Sequence, residues 1–224
     1  MILMKYSNIT KAQFLSRPNR FIAEVEISGR RETVHVKNTG RCKELLIPGC
    51  EVWLTAPDSP NRKTKYDLVA VMKSTGTLFN IDSQAPNKVM REWLDGQGYE
   101  KIIPEYSYGD SRIDFYMEGG GEKYLMEVKG CTLEFEGIGY FPDAPTERGV
   151  KHIRELIRAR AEGYNTAIAF VIQMDGVREV RANTATHPEF GAALEEARKA
   201  GVKILFFPCH VEPDSLVITE RIEG

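Results

Sequence analysis

The sequence predicts an α/β (α+β) fold in two domains, residues 1–84 and 85–224. The first half consists of short β-branched and aromatic runs separated by turn residues, which is typical of a small β-rich domain. In the second half, strands alternate with helical periodicities, which favours crossover connections and a mixed sheet with flanking helices. The Gln-Ala-Pro-Asn segment at residues 84–87 divides the halves.

Five strand-like runs are predicted in the first domain. They are residues 21–27, 32–37, 51–55, 67–72 and 77–81. Five such strands within about 60 residues predict a closed barrel of the OB type, a fold that commonly binds single-stranded nucleic acid. Arg17 and Arg20 precede the first predicted strand. Residues 38–41 (Asn-Thr-Gly-Arg) offer backbone N–H groups and the Arg41 guanidinium to a phosphate.

The second domain is predicted as helix, hairpin, helix, strand, helix and strand. Asn87 is expected to cap the first helix and Thr146 the second, which ends at Gly163. Buried strands are expected at 166–173 and 202–207, with a helix at 188–200 between them. Between the hairpin and the second helix, about twenty residues lack any helical period, and a connection of that length is usually functional or mobile.

The hairpin at residues 111–129 carries the candidate chemistry. Two runs of period 2 flank the Gly119–Gly121 break, which predicts one face with Ile113 and Phe115 and an opposite face with Asp114, Glu127 and Lys129. Asp114 then lies opposite or diagonal to Glu127, with Cβ atoms about 5 Å apart. Two carboxylates so placed repel each other unless a cation lies between them. The alternative is an ordinary solvated face of an amphipathic hairpin.

Composition narrows the function classes. The formal net charge of −2 argues against a protein that coats nucleic acid by bulk electrostatics, so a polyanion would need a local basic patch. Four cysteines without a C-x-x-C pair argue against a zinc finger or a disulfide framework. The N-terminus lacks the apolar region of a signal peptide, and the longest apolar run is too short to span a bilayer. We therefore expect a cytoplasmic protein with no membrane partner.

Several sequence blocks resemble a known family. They are RPNRF (17–21), NTGR (38–41), PN (86–87), SRIDF (111–115), EVKGCTL (127–133) and FPDAPTERGVKH (141–152). An acid followed by E-x-K on the next strand resembles the PD-(D/E)xK restriction-endonuclease-like core, and the blocks together resemble the sugar fermentation stimulation protein A (SfsA) family. Ile113 stands where the nuclease pattern has proline, and the Pro142-Asp143 pair is not that motif's "PD".

The resemblance implies an OB-like domain, a nuclease-like domain, and phosphodiester hydrolysis on DNA or RNA with Mg²⁺ or Mn²⁺. It implies Asp114, Glu127 and Lys129 as catalytic residues and Asp114, Glu127 and Glu92 as metal ligands. The candidate nucleic-acid contacts are Arg17, Arg20, Asn38, Arg41, Arg112, Arg148, Lys151, His152 and Gln173.

Two other functions stay open at this stage. A non-catalytic DNA-binding regulator of sugar metabolism would use the same fold and tolerate loss of the three catalytic residues. A sugar-handling enzyme is less well supported, because the sequence offers no nucleotide-binding glycine loop or carbohydrate-stacking aromatic array. A homo-oligomer is compatible with all three.

Overall fold

The N-terminal half is a closed five-stranded barrel. The computed structural model describes residues 4–38, 40–57 and 62–224. The strands are β1 (Thr10–Asn19), β2 (Ile22–Ile27), β3 (Arg30–Val36), β4 (Glu51–Thr55), β5 (Asp67–Met72) and β6 (Leu78–Asn80). They are ordered β3-β2-β1-β4-β5-β6, and a parallel pairing of β3 with β5 closes the barrel. The OB-like architecture is confirmed, with β6 as an added strand beside β5.

The first strand of the barrel was not among the predicted runs. In β1, Ala12 and Phe14 are buried with period 2, but the register with β2 shifts after Phe14 and again after Ser16. Because of these irregularities and Pro18, only a short part of β1 shows the alternation of apolar and polar residues that predicts a strand. Arg17 therefore lies on a strand rather than ahead of the first one.

The C-terminal half is a mixed sheet between helices. Its elements are α1 (Ala85–Asp95), β7 (Lys101–Tyr108), β8 (Ser111–Gly119), β9 (Glu122–Cys131), β10 (Leu133–Phe135), β11 (Ile138–Phe141), α2 (Glu147–Ala161), β12 (Asn165–Ile172), β13 (Val180–Ala182), α3 (Pro188–Lys199), β14 (Lys203–Glu212), β15 (Ser215–Ile218) and β16 (Ile222–Glu223). The main sheet has the order β15-β14-β12-β9-β8-β7, with β16 beside β14. Strands β9, β12 and β14 are parallel, and β7, β8 and β9 are antiparallel.

Helices cover both faces of this sheet. Val89, Met90 and Leu94 of α1 belong to a core cluster with Met126 and Ala169, while α2 and α3 pack into the cluster that also contains the barrel interior. The segment expected to be a long irregular connection contains the β10–β11 hairpin, and β11 also pairs with β13. In the described residues, none of the helices is long and apolar enough to cross a membrane.

A buried polar network joins the two halves. Asp82 is fully buried, and its carboxylate accepts hydrogen bonds from the Lys37 ammonium (2.8 Å) and the Gln84 backbone N–H (2.9 Å). Gln173, just after β12, donates to the side chain of Asn80 (2.9 Å) and the carbonyl of Asp82 (3.1 Å). The barrel is thus tied directly to the centre of the mixed sheet.

Candidate metal and nucleic-acid site

The β8–β9 hairpin forms as predicted, but its face alternation breaks at Asp114. The strands pair from Gly119 with Glu122 as far as Phe115 with Met126. Ile113 lies in the core cluster on the α2 side, whereas Phe115 lies in the cluster on the α1 side. The prediction that these two share a face is therefore wrong. Beyond the last paired residues, the Asp114 side chain binds the neighbouring strand: its Oδ2 accepts a hydrogen bond from the backbone N–H of Val128 at 2.8 Å. Such irregularities are common beside active sites.

Asn87 orients the Asp114 carboxylate. Its side-chain Nδ2 donates to Asp114 Oδ1 at 2.8 Å. The prediction that Asn87 caps α1 is wrong, because the helix begins at Ala85 and the cap position is Gln84. Asn87 lies inside the first turn and points to β8. The contact between Asn87 and Asp114 was not predicted from the sequence, in which Asn87 stood out only as a helix cap and as part of the Pro86-Asn87 block.

Glu127 is the buried carboxylate of the site. Its side chain is 3% exposed, and Oε1 contacts both Lys129 Nζ (2.6 Å) and His152 Nδ1. The other oxygen, Oε2, is buried and has no hydrogen-bond partner in the described residues. A buried carboxylate oxygen without a donor is energetically unfavourable, so it indicates a missing ligand such as a cation or a water.

His152 contacts Glu127 rather than the surface. It is 5% exposed on α2, and its Nε2 lies 3.3 Å from the donor Nε of Arg148. Because a carboxylate only accepts and a guanidinium only donates, Nδ1 of His152 donates to Glu127 and Nε2 accepts from Arg148. The prediction of a direct nucleic-acid contact at His152 is wrong, because α2 buries the ring against β9.

The two carboxylates differ in their electrostatics. Burial, and then the charge of Glu127, raise the pKa of Asp114 against the opposing effects of Val128 N–H, Lys129 and Asn87. Burial alone would raise the pKa of Glu127, but Lys129 and His152 together hold it below its usual range. Neighbouring carboxyl groups whose pKa values shift in opposite directions are typical of functional sites.

The donor set fits a hard divalent cation. The Asp114 carboxylate and the unpartnered Oε2 of Glu127 are the oxygen ligands that Mg²⁺ and Mn²⁺ prefer. Glu92 does not complete this set. It lines an open groove of about 990 Å³ that Asp114 also borders, but within the described residues no three His, Cys, Asp or Glu side chains are close enough to share an ion. The role of Glu92 as an additional metal ligand or as a contact to a metal-bound water therefore stays a prediction.

Two of the barrel residues predicted to contact nucleic acid are structural. The Arg17 guanidinium donates to four backbone carbonyls, those of Asn38, Arg20, Gly40 and Arg41, at 2.7–2.9 Å. The Asn38 side chain is also used internally, since it accepts from Gly40 N–H and donates to the carbonyl of Ile81.

The backbone donors of this loop are occupied as well. Gly40 N–H is bound by Asn38, and Arg41 N–H donates to the carboxylate of Asp143 at 3.2 Å. The prediction that these N–H groups bind phosphate is therefore wrong for Gly40 and Arg41. Thr39, also part of that motif, lies outside the described residues.

The remaining candidates separate into exposed and buried groups. Arg20, Arg41, Arg112, Arg148 and Lys151 are exposed; Lys151 Nζ also donates to the carbonyl of Asp110, and Arg112 lies 3.7 Å from Glu105. Gln173 is 1% exposed and donates only within the network that joins the two halves. Its amide nitrogen is engaged at the domain junction, but the side chain also lines the cleft between the barrel and the mixed sheet, so its role in holding the scissile strand stays a prediction.

Family models match both halves of the chain. Residues 84–215 match the model described as the sugar fermentation stimulation protein RE domain, and residues 15–81 match the SfsA N-terminal OB domain. A sugar fermentation stimulation protein homolog from Desulfitobacterium hafniense is 56% identical over 230 residues, covering 99% of this chain and 100% of the relative. A sugar fermentation stimulation protein homolog from Clostridium beijerinckii is 51% identical over 224 residues, covering 98% of this chain and 99% of the relative.

A solved structure shares the whole fold. It is described as the structure of Pyrococcus furiosus SfsA in complex with Ca²⁺. The two chains superpose with a TM-score of 0.87 at 30% sequence identity, and the match covers 99% of this chain and 98% of the other. The agreement therefore extends over the barrel and the mixed sheet together.

Proposed function

This chain belongs to the SfsA family, and from that premise and the setting of Glu127 we propose that it is a divalent-metal-dependent nuclease. Its substrate is nucleic acid, DNA and possibly RNA, and its reaction is hydrolysis of phosphodiester bonds. The observation that carries the proposal is the buried, unpartnered Oε2 of Glu127 beside the Asp114 carboxylate.

Asp114 and Glu127 would hold the cation, with Mg²⁺ or Mn²⁺ as the proposed ion. The related SfsA of Pyrococcus furiosus forms a complex with Ca²⁺. Because Ca²⁺ is also a hard cation that takes oxygen ligands, that complex supports an ion of this class here. When bound, such an ion polarises a phosphoryl oxygen and lowers the pKa of a water molecule.

Four neighbouring groups hold the two carboxylates in place. Asn87 and the Val128 N–H fix the two oxygens of Asp114. Lys129 and His152 both bind Oε1 of Glu127, which directs Oε2 away from protein donors. This arrangement aims one oxygen of Glu127 at the ligand while the other anchors the side chain.

Lys129 has a second role in the proposal. It lies two residues from Glu127 on the same strand, its ammonium donates to Oε1 of Glu127, and its side chain is 14% exposed. There it would stabilise the negative charge that develops on the phosphoryl group or orient the attacking water. Lysine suits this position because its three donors contact Glu127 and a substrate oxygen at once.

Substrate binding would use local cations, since the chain as a whole is slightly acidic. Arg112, Arg148 and Lys151 are exposed near the ends of β8 and α2, and Arg20 and Arg41 are exposed on the barrel. Affinity that rests on such contacts falls as salt concentration rises, because counterions are released from the phosphates.

A cleavage assay tests the proposal. Supercoiled plasmid, single-stranded DNA and RNA are incubated with Mg²⁺ or Mn²⁺, with EDTA as the metal-free control, for the wild type and for Glu127→Ala and Lys129→Ala. We expect cleavage of at least one substrate that requires the metal and is lost in both variants while nucleic-acid binding persists. Cleavage in EDTA, or variants as active as the wild type, would contradict the proposal.

The alternative is a DNA-binding regulator that does not cleave, which agrees with the relatives' names as sugar fermentation stimulation protein homologs. Such a protein would bind DNA with the same affinity in the Glu127→Ala and Lys129→Ala variants and would leave all three substrates intact with either metal. The same assay therefore separates the two functions.

A further inference from the structure

We infer that one face of the barrel binds unpaired nucleotides, so that the proposed nuclease takes single-stranded nucleic acid or single-stranded segments as substrate. This inference rests on the proposed function and specifies its substrate. The surface, here called the barrel patch, consists of the side chains of Arg20, Phe21, Arg41 and Lys43.

Hydrogen bonds from Arg17 hold the two segments of the barrel patch together. Its guanidinium binds the carbonyl of Arg20 in the β1–β2 turn and the carbonyls of Gly40 and Arg41 in the loop after β3. One planar group thus brings together two segments that are about twenty residues apart in the chain. The side chains of Arg20 and Arg41 are left exposed, and so is that of Lys43.

The charged side chains of the barrel patch are all cationic, while the Asp143 carboxylate lies beside the patch, where it accepts the Arg41 backbone N–H at 3.2 Å. A hollow of about 330 Å³ is lined by Arg17, Asn19, Arg20, Gly40, Arg41, Lys43 and Leu46. Among these described residues the lining contains four cationic side chains and no acidic one. In a chain of net charge −2, such a local concentration of cations favours a polyanion at this face.

Phe21 supplies a ring for stacking. It follows Arg20 in the β1–β2 turn and is 51% exposed, which is high for a large apolar side chain. Exposed aromatic rings beside a basic groove are the usual means by which barrels of this kind bind single strands, because each base stacks on a ring while the phosphates meet the cations. A duplex cannot use Phe21 in this way, since its bases are already stacked on one another.

The barrel patch leads towards the metal ligands. Gly40 lines its hollow and also lines a second cleft of about 280 Å³, between the barrel and the mixed sheet. Gly130 lines that cleft as well, and it directly follows Lys129 in β9. The hollow of the barrel patch and this cleft therefore share Gly40, and the cleft reaches the residue that follows Lys129 in β9.

Fluorescence anisotropy of labelled oligonucleotides tests the inference without requiring cleavage. The intact chain is titrated in EDTA with a 20-nucleotide single strand and with a hairpin duplex of the same composition. Phe21→Leu removes the ring and keeps an apolar side chain, and Phe21→Tyr restores a ring. Phe135→Leu is the matched control, because Phe135 is an exposed ring (64%) on a different hairpin.

We expect Phe21→Leu to weaken single-strand binding by about ten-fold or more and duplex binding by less than about two-fold, as for loss of one base stack. Phe21→Tyr and Phe135→Leu should bind as the wild type does. Arg41→Gln should reduce the slope of log affinity against log salt by about 0.7 for the single strand. Circular dichroism of each variant confirms that the barrel is folded.

The outcomes also distinguish this inference from the proposed function. If Phe21→Leu binds the single strand as tightly as the wild type does, the inference is wrong, even when metal-dependent cleavage is observed. If Phe21→Leu loses single-strand binding but no substrate is cleaved by the wild type, the barrel patch stands and the nuclease proposal fails. Equal losses for single strand and duplex would also overturn the inference.

Discussion

Among the described residues, two buried carboxylates each lie beside a lysine, and they differ in what surrounds the second oxygen. Asp82 is completely buried; Oδ1 accepts from the Gln84 N–H, and Oδ2 accepts from Lys37 at 2.8 Å and from the Tyr6 hydroxyl at 3.2 Å. Glu127 is equally enclosed, but both of its donors, Lys129 and His152, converge on Oε1 and leave Oε2 without a partner in the described residues.

Under the proposed function, this difference separates a structural carboxylate from a metal-binding one. A buried acid whose oxygens are all satisfied stabilises the arrangement around it, and here that arrangement is the junction of the barrel with the mixed sheet. A buried acid with one oxygen left free retains binding capacity for a ligand. Burial and a neighbouring lysine are common to both, so neither feature alone identifies the site.

The largest effect is expected for Glu127→Gln. Replacing Oε2 by an amide removes an anionic ligand, so metal-dependent cleavage should fall by on the order of 10³-fold or more. The free energy of unfolding should change by less than about 2 kcal/mol, because an amide oxygen can still accept from Lys129. Initial cleavage rates and urea denaturation measure the two quantities on the same preparation. A variant that unfolds but cleaves normally when folded would reverse the assignment of the two carboxylates.

Asp82→Ala should have the opposite profile. Loss of the carboxylate leaves the Lys37 ammonium, whose side chain is only 16% exposed, without its partner, so the free energy of unfolding should fall by about 3–5 kcal/mol. Cleavage per folded molecule should stay within a few-fold of the wild type. The double variant Asp82→Ala/Lys37→Met should recover part of the stability, because it also removes the stranded charge. If Asp82→Ala were stable but inactive, Asp82 would belong to the site.

His152 sharpens the comparison, because in the proposed site it would position Glu127 without touching the metal ion. His152→Leu should weaken Mn²⁺ binding by about 10–100-fold, the usual loss when a residue that orients a metal ligand is removed. His152→Asn places a donor where Nδ1 was and should recover much of the affinity, whereas His152→Gln places its donor near Nε2 and should not. Calorimetric titration of Mn²⁺ without substrate measures the affinity. Equal affinities for the Leu and Asn variants would show that the ring only fills space.

Much of the site was predictable because it lies on one hairpin. The turn at Gly119–Gly121 and the neighbouring positions of Glu127 and Lys129 follow from period-2 geometry, and Thr146 caps α2 as expected. The break at Asp114 was not predictable, since Ile113 and Phe115 continue the apolar alternation in the sequence. It arises from contacts with Asn87 and Val128 that depend on the packing of α1.

Contacts between distant segments explain the other errors. Arg17 and Asn38 are polar residues of the kind that binds nucleic acid, and the sequence contains no sign that carbonyls of other segments occupy their donors. His152 lies in a helix with many cations, so its burial against Glu127 follows only from the docking of α2 on the sheet. Residue type could suggest these positions, but only the fold decides whether a donor is free.

The smallest effect that still tests the comparison is expected at Gly130. This residue lies next to Gln173 of the domain junction and directly follows Lys129 of the candidate site. A Cβ on Gly130 would collide with Oε1 of Gln173 and lie 2.7 Å from Cγ of Pro86, so Gly130→Ala overpacks the junction and should lower the free energy of unfolding by about 1–3 kcal/mol. Because Lys129 is the adjacent residue, the same shift should reduce cleavage by at most about a hundred-fold. Gly96→Ala is the matched control, since its Cβ would meet the Trp93 carbonyl at an ordinary 3.5 Å. If Gly130→Ala lowered stability but left cleavage unchanged, the junction around Asp82 and the site around Glu127 would be mechanically independent. The barrel would then hold substrate without positioning β9, the strand that carries Glu127 and Lys129.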